Sequence, residues 1–454
     1  MLTFTAASTV LVACGDDDNN SPATNDPTPV EPTKDEAMSQ AKQKEYLETI
    51  AKEFMNQTPS SDFQELADLA NYVRDTYIDD YDWDDVEDWA QDAFDAARRS
   101  LGTTDRDASS SYTTYLYNNY EALIFFSNFT SHFEASNGRW VQSKANDLQF
   151  SFKDKNNNQC VLTLQSSGSV KNVHIVNVRD YVKSDYTVTP YVREYDLTKV
   201  TIGIPENIVV TLTKGGTQLV KTTVKINLAS LVGEEFDLSA SGITASVLTE
   251  LSNGYKIEVS EVKYTANSKA SAAFAISKNG TSLVSGAVAS DISGIPSANV
   301  SVFNDKNFDI DDYNTDNANA KNGLVKLDVL GKLQIQGTVA DVRKFADYIE
   351  DARDNDDKEQ NFKSYINQAN GLIDLNLFYD NKATKQATVK LEPFQENSWK
   401  GVYWKCEPVI YFFDGSSYST FEAFFNDKDF KAVIDDFKNL ANRYAKLVDE
   451  RIDW

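Results

Sequence analysis

The chain has 454 residues, carries a net charge of −25 and is 41% hydrophobic. This length supports two or three domains, and the composition is typical of a folded protein rather than a mostly disordered one. The negative charge excludes nucleic acid as a partner and excludes polybasic membrane docking, because phosphates repel an acidic protein. No apolar run reaches the roughly 18 residues that a membrane-spanning helix needs.

The amino terminus carries the clearest motif in the sequence. An apolar run from Leu2 to Ala13 has the length of a signal-peptide core and is followed at once by Cys14. Leu11-Val12-Ala13-Cys14 resembles a bacterial lipobox, and Gly15-Asp16-Asp17-Asp18-Asn19-Asn20 resembles the export signal of surface-exposed lipoproteins of the Bacteroidetes. This resemblance is confined to residues 1–20. It implies cleavage before Cys14, lipidation of that cysteine, and an outer-membrane protein exposed at the cell surface.

Two further features belong to the same segment. Residues 1–4 contain no basic residue, whereas a signal peptide begins with a basic segment, so we expect a misassigned start codon or a truncated chain. Residues 1–13 are then the signal peptide and residues 14–34 a lipidated tether. The tether holds four of the ten prolines, set among Asp, Asn, Ser and Thr, which predicts an extended segment.

Residues 35–138 are predicted to be helical. Tyr46, Ile50 and Phe54 have helical spacing, and Asp62 is a candidate N-cap for a second helix. That helix has an apolar stripe of Phe63, Leu66, Ala70, Val73 and Tyr77. Another stripe runs from Trp83 to Ala97, and a further helix is predicted over 113–135, with Asn137-Gly138 as its stop and His132 near its carboxyl end.

Residues 139–337 are predicted to form an antiparallel β domain. Apolar and polar residues alternate along this region, and turn signals interrupt them at Gly215-Gly216, Asn253-Gly254 and Asn279-Gly280. The pattern fits one antiparallel sheet, or two small sandwiches in series, with one buried face.

Residues 338–454 are predicted to form a C-terminal helix–strand–helix region. Helices are expected over 339–369, with a charged break at 354–358, and again from Phe430 to Leu447. Strands over 372–378, 387–391 and 401–413 lie between them, and Pro408 indicates a sheet edge or a bulge. The fold class is therefore α+β, with N-terminal helices, a central antiparallel β-rich domain and this C-terminal region.

The sequence contains no catalytic motif, and we predict that the protein is not an enzyme. His132 and His174 are its two histidines, and neither has metal-ligand or triad spacing. With Cys14 lipidated, Cys160 and Cys406 either form one disulfide or remain two small buried thiols.

No cofactor is expected, and calcium is the alternative. Asp305, Asn307, Asp309 and Asp311 alternate as in a calcium loop, but Ile310 stands where an EF-hand needs Gly, so the loop would be irregular. Residues 154–158, a second acidic and Asn-rich stretch, favour a hairpin turn.

Aromatic residues supply the candidate ligand site. Trp399, Tyr403 and Trp404 precede or begin a strand, where they either stack on a sugar ring or pack into the core. We therefore expect a cell-surface lipoprotein that acts as a non-enzymatic binding or adhesion module for a glycan, protein or nutrient ligand. The alternatives are a lipid or hydrophobic-ligand carrier, a carboxylate-dependent polysaccharide hydrolase, and a structural subunit.

Overall fold

The computed structural model describes residues 37–77, 130–136, 139–185, 192–228, 242–294, 319–398, 401–416, 419–420 and 428–447. The signal peptide, the tether and the predicted helix from Trp83 to Ala97 lie outside these residues. Helices and a large, mostly antiparallel sheet are both present, which confirms the α+β class. Within the described part of the chain, no helix is long and apolar enough to cross a membrane.

The helices are α1 Gln40–Gln57, α2 Gln64–Tyr77, α3 Val342–Arg353, α4 Glu359–Asn370 and α5 Lys428–Leu447, with a 3-10 turn at Ser60–Phe63. The strands are β1 Ser131–Ser136, β2 Arg139–Lys144, β3 Leu148–Lys153, β4 Gln159–Asp185, β5 Val192–Lys214, β6 Thr217–Asn227, β7 Gly242–Leu251, β8 Tyr255–Thr265, β9 Lys269–Lys278, β10 Thr281–Ser293, β11 Asn319–Val329, β12 Leu333–Asp341, β13 Ile373–Tyr379, β14 Ala387–Ser398, β15 Gly401–Phe412 and β16 Ser419–Thr420.

The chain divides into two compact units. The first is drawn from Met1–Gln64, Tyr255–Gly294 and Asn319–Trp454, and the second from Glu65–Gly254 and Ile295–Ala318. Each unit combines helices with strands.

The helix predictions are confirmed at α1, α2, α3, α4 and α5. Polar side chains fix two of the starts: the Ser39 hydroxyl accepts from the Lys42 N–H at 3.4 Å, and the Asp341 carboxylate accepts from the Lys344 N–H at 3.0 Å. Both oxygens satisfy amides that the first helical turn would leave unpaired.

The prediction of a helix over 113–135 is wrong at its carboxyl end. Ser131–Ser136 is strand β1, and residues 113–129 lie outside the described part. His132 accordingly lies in a strand, opposite Ser143 of β2, and not at a helix end. Pairing with β2 on one side and β3 on the other fixes the backbone of this segment, which local helical spacing cannot anticipate.

In the second unit the strand order is β2-β1-β3-β4-β5-β6-β7. The pairs are antiparallel except β1 with β3, which is parallel. The predicted turn between β5 and β6 is confirmed, with φ of 56° at Gly215 and 82° at Gly216. Within the second unit the described strands of the predicted β domain pair in one sheet and not in a sandwich.

Strands β4 and β5 extend beyond their neighbours. Strand β3 pairs with β4 only as far as Leu164, and β6 pairs with β5 only from Asn207 onward. Beyond these points the two long strands pair with each other, up to Asp185 opposite Val192. A bulge at Gly168 (φ 87°), whose neighbour Ser169 donates to the Glu206 carboxylate, marks the base of this two-stranded ribbon.

Helix α2 covers one face of the second unit's sheet. Leu69 is buried with Phe133, Trp140 and Phe152, while Ala70 is exposed. An apolar stripe on α2 is therefore confirmed, but it is centred on Leu69 rather than on Ala70. Leu66, Val73 and Tyr77 pack against the same cluster.

In the first unit the strands follow chain order from β8 to β16, and all neighbours are antiparallel. The turn at Asn279-Gly280 is confirmed, with φ of 51° and 82°, as a two-residue hairpin loop requires. Pro408 lies opposite Leu391 of β14. Among the described residues, β16 pairs with only two residues of β15, so most of that strand is an edge, as Pro408 predicted.

Helix α1 covers part of one face of this sheet. Leu47, Ala51 and Met55 recur every four residues along the helix and pack against a cluster that includes Leu377 and Ile410. A neighbouring cluster of Ala352, Phe362 and Ile366 lies where α3 and α4 pack together.

Candidate functional site

Several predicted site residues lie outside the described part of the chain. These are Cys14, Trp399 and the calcium-loop residues Asp305, Asn307, Asp309 and Asp311. Within the described part, no group of three or more His, Cys, Asp or Glu side chains could hold a metal ion. The calcium loop and the lipidated cysteine therefore stay predictions.

The aromatic pair of β15 divides between two environments. Trp404 packs against the cluster of Phe362 and Ile366, and Lys363 Nζ lies 4.3 Å from its ring centroid. The backbone N–H of Trp404 also donates to Asp356 O at 2.7 Å. The core-packing alternative thus describes Trp404.

Tyr403 lies on the opposite face of β15 from Trp404. Its ring is half-buried, with Lys405 Nζ 5.2 Å from the centroid. The Lys405 ammonium also pairs with the Glu396 carboxylate, and this hydrogen bond lowers the pKa of Glu396. The ligand role predicted for Tyr403 stays a prediction.

The cysteines are free thiols, so the disulfide alternative is not realised. Cys160 is fully buried in β4 and Cys406 is half-buried in β15. Burial raises the pKa of both thiols, which keeps them protonated and poorly nucleophilic.

His132 has one carboxylate partner. Its Nε2 lies 2.6 Å from Asp147 Oδ1, and this contact lowers the pKa of Asp147. Among the described residues, no serine or cysteine hydrogen-bonds to the His132 ring. His174 lies in β4.

Residues 154–158 form the predicted hairpin turn between β3 and β4. Asp154 is buried, and its carboxylate accepts from the N–H groups of Asn156 at 2.9 Å and Asn158 at 2.7 Å. The Asn158 side chain and Lys214 add further hydrogen bonds, and together these hold the pKa of Asp154 well below its usual range. The acidic residue here is a structural turn residue.

An apolar row crosses the sheet of the first unit from a covered region into an open one. Val259 lies opposite Phe274, Phe274 opposite Gly286, Gly286 opposite Leu327, and Leu327 opposite Ile335. Directly opposed residues share a face of the sheet. Since Ile335 packs against the cluster under α1, Val259 and Phe274 lie on that same face but outside this cluster.

Three large apolar side chains on this face stay exposed. Ile257, Val259 and Phe274 are 39%, 37% and 41% exposed, and they form what we call the apolar window. Half-buried side chains continue it on the same face: Ile276, Val284, Val288 and Leu327. Adjacent apolar side chains of this size on one open face distinguish the window from scattered surface hydrophobics.

The window is bounded at both ends of its strands. At one end Tyr255 is buried and its ring lies 4.9 Å from that of Phe63. At the other end Tyr264 and Ala270, which oppose each other, are buried. The open stretch is therefore limited to a few residues of each strand.

A polar cluster fixes the Tyr255 end. Asp62 Oδ2 accepts from the Tyr255 hydroxyl at 2.8 Å and from Lys278 Nζ at 2.5 Å, and both donors also reach Gln57 O. Burial acts to raise the pKa of Asp62, but the hydrogen bonds from Lys278 and Tyr255 outweigh it and lower that pKa. Burial and the Asp62 carboxylate together raise the pKa of Tyr255. This cluster ties the 3-10 turn to β8 and β9.

The three side chains that define the window, Ile257, Val259 and Phe274, offer apolar contacts and carry no ionisable group. The sequence pattern did not predict the apolar window, although the alternation in Ile257-Glu258-Val259 does predict a strand with one apolar face. Alternation cannot show which part of that face a helix leaves uncovered.

The sequence matches no family model, and comparisons with curated proteins and with solved structures give no match. The function must therefore be argued from the residues of the site.

Proposed function

We propose that this protein is a cell-surface lipoprotein that binds an apolar part of an external ligand at the apolar window, without chemically changing that ligand. The observation that carries the proposal is the exposure of Ile257, Val259 and Phe274 on a face that α1 covers elsewhere. In this proposal, lipidation of Cys14 anchors the protein to the outer membrane. Residues 15–34 form a tether that holds the folded part away from the membrane.

The energetics support a binding role. Three aliphatic or aromatic side chains about 40% exposed leave on the order of 200–300 Å² of apolar surface in water. Covering that surface is worth roughly 5–7 kcal/mol at about 25 cal/mol per Å², before the costs of association. The cost of association offsets much of that free energy, so the window suits a weakly and reversibly bound ligand.

The binding test uses the neutral apolar dye Nile red with the full chain carrying Cys14→Ser, so that no acyl chain of its own competes. We expect saturable fluorescence enhancement that Val259→Asp abolishes. The matched control is Val141→Asp, because Val141 is also a strongly exposed strand valine but belongs to the second unit. Equal dye binding by both variants would reject the window as the binding surface.

The non-enzymatic part of the proposal has its own test. Incubation of the protein with a panel of polysaccharides and proteins should leave both unchanged. Release of new reducing ends would favour the hydrolase alternative, and release of peptides would indicate a protease.

The anchor is tested in cells. Wild-type chain should incorporate a labelled fatty acid and resist extraction with salt, whereas Cys14→Ser should do neither. Degradation of the wild type by protease added to intact cells is expected for a surface-exposed protein. Protection from that protease would contradict surface exposure.

A further inference from the structure

Strands β4 and β5 continue as a two-stranded ribbon beyond the rest of their sheet. Within the described part of the chain, no third strand pairs with β4 beyond Leu164 or with β5 before Asn207. At the base of the ribbon, residues 165–171 of β4 are exposed, whereas Ile204 and Pro205 of β5 are buried. Two paired strands alone are at best marginally stable in water, so a partner that covers the ribbon would stabilise it.

The pairing register sorts the charged residues of the ribbon by sign. Directly opposed residues share a face, and so do residues two apart along one strand. One face, which we call the basic face, has Asn177 opposite Lys199, Arg179 opposite Leu197, Tyr181 opposite Tyr195 and Ser184 opposite Arg193. The other, the acidic face, has Val178 opposite Thr198, Asp180 opposite Asp196, Lys183 opposite Glu194 and Asp185 opposite Val192. Among these residues the basic face has no acid.

The acidic face carries an electrostatic cost in the isolated chain. Asp180 lies directly opposite Asp196, and like charges that oppose each other across two strands are destabilising. Glu194, two residues from Asp196 along β5, adds a further negative charge to the same face. A cationic surface placed against this face would offset the repulsion, whereas salt only screens it. The acidic face therefore favours a basic partner.

The basic face of a second copy has the charge and the length that this partner needs. Both faces belong to the same stretch of ribbon, residues 177–185 and 192–199, so they match in length while they differ in sign. On the basic face Lys199 and Arg179 occupy successive levels about 6.8 Å apart, and on the acidic face the Asp180–Asp196 pair and Glu194 follow the same two-residue repeat. Charge complementarity thus selects another copy of this chain.

The contact is small, so it needs many copies to be stable. From Arg193 to Lys199 the ribbon is about 24 Å long and about 10 Å wide, which gives each face roughly 240 Å². A stable protein interface needs roughly 800 Å² per partner. The net charge of −25 also opposes association, but charges more than about 8 Å apart are largely screened at physiological ionic strength. Single pairs are therefore weak, and arrays of copies on two surfaces bind through multivalency.

We infer that the ribbon is a homophilic docking element, in which the basic face of one copy binds the acidic face of another. Each copy uses two different faces, so the contact is heterologous and further copies can add to it. Its strength falls as the salt concentration rises. The inference goes beyond the proposed function and does not rest on it, since the ribbon belongs to the second unit and the apolar window to the first.

The test measures clustering of beads that carry the full chain with Cys14→Ser, attached through a carboxyl-terminal biotin. Wild-type beads should cluster at about 0.15 M salt and disperse at about 1 M, where the screening length falls to about 3 Å. Arg179→Glu/Lys199→Glu beads should not cluster with themselves, and neither should Asp180→Lys/Asp196→Lys beads. Mixed together in two colours, the two variants should cluster, because each keeps the face that complements the other's intact face.

The matched control is Arg139→Glu/Lys144→Glu, which reverses two exposed cations of β2 in the same unit and should cluster like wild type. Val259→Asp should also cluster normally, and both ribbon variants should still bind Nile red. Failure of the ribbon and failure of the window are therefore distinguishable. Should a charge-reversed variant lose its circular dichroism signal, Arg179→Gln/Lys199→Gln and Asp180→Asn/Asp196→Asn replace the two pairs, and each should lose clustering.

Four outcomes would overturn the inference. Wild-type beads that stay dispersed, or a ribbon variant that clusters with itself, would show that the two faces do not bind each other. A mixture of the two charge-reversed variants that fails to cluster would exclude face-to-face complementarity. Clustering that a calcium chelator abolishes would mean that a cation bridges acidic faces. Dispersed wild-type beads that instead bind alginate would assign the basic face to an acidic glycan.

Discussion

Two parts of one sheet face, over β12 to β15 and over β8 to β10, are both apolar, but a helix covers only the first. Over β12 to β15 the apolar face is buried by α1, and Ile410 is 2% exposed there. Over β8 to β10 the same face presents Ile257, Val259 and Phe274 to solvent. Alternating strands therefore create an apolar face along β8 to β15, and a separate segment of chain decides where that face is covered. The open half is where we propose that a ligand binds.

The strongest test of this contrast compares one substitution at the two places. Ile410→Ala should cost about 2–5 kcal/mol of unfolding free energy, because it leaves a cavity under α1. Ile257→Ala should cost less than about 1 kcal/mol, since a half-exposed side chain loses little burial and leaves no cavity. Urea denaturation of both variants measures the difference. Equal losses would show that the window is covered in solution.

A second contrast concerns how α1 is held on the covered half. The buried side chain of Gln43 donates to Met38 O and Gln386 O at 3.0 Å and accepts from the Tyr379 hydroxyl at 3.1 Å. Gln43→Leu should therefore cost about 1–3 kcal/mol, because it strands the buried partners Tyr379 and Gln386.

The control for this substitution lies one turn earlier. Gln40→Leu makes the same chemical change in the same helix where the side chain is only half-buried, and should shift stability by less than about 0.5 kcal/mol. Thermal or urea unfolding measures both variants. Similar losses would mean that general helix properties, rather than the buried contacts, account for the effect.

The sequence predicts most of the helices and strands, but not which part of the sheet face α1 covers. Periodicity located α1 and the strands of the first unit, and Asn279-Gly280 located a hairpin, because both signals are local. The predicted stripe of this helix is Tyr46, Ile50 and Phe54, whereas Leu47, Ala51 and Met55 are the residues that pack against the sheet cluster. Their partners in β12 to β15 lie almost 300 residues away or more, and local spacing carries no information about them.

The errors have the same origin. Residues 131–136 lie at the end of a helical pattern, yet pairing with β2 and β3 makes them a strand. The candidate site was missed for a related reason. Val259 and Phe274 read as ordinary strand residues, and only the position of α1 shows that they are left open.

A smaller effect is expected at the polar end of the window. Asp62→Asn should cost about 1–2 kcal/mol at neutral pH, because the charge that Lys278 and Tyr255 bind is lost while one acceptor oxygen remains. The folded-state pKa of Asp62 is below the ordinary 3.8, so the carboxylate stabilises the fold above that pH. This contribution is lost as the pH falls through the folded-state pKa.

The measurement is the urea stability of wild type and Asp62→Asn at neutral pH and at several values below 3.8. The gap between the two proteins should narrow as the pH falls. A gap that stays constant with pH would contradict the charge-assisted role and leave only a packing effect at this end of the window.

The smallest effect is expected where α1 borders the open half. Glu53 of α1 pairs with Lys332, in the turn between β11 and β12, and both side chains are more than a third exposed. Glu53→Gln should cost less than about 1 kcal/mol, because solvent and salt screen such a pair. The control is Glu48→Gln, which breaks an ion pair with Lys52 inside the same helix and should cost no more. Urea denaturation at low and high salt compares the two. A loss of unfolding free energy well above about 1 kcal/mol for Glu53→Gln alone would contradict this prediction. It would mean that the ion pair, and not apolar burial, holds α1 at the boundary between the covered face and the window.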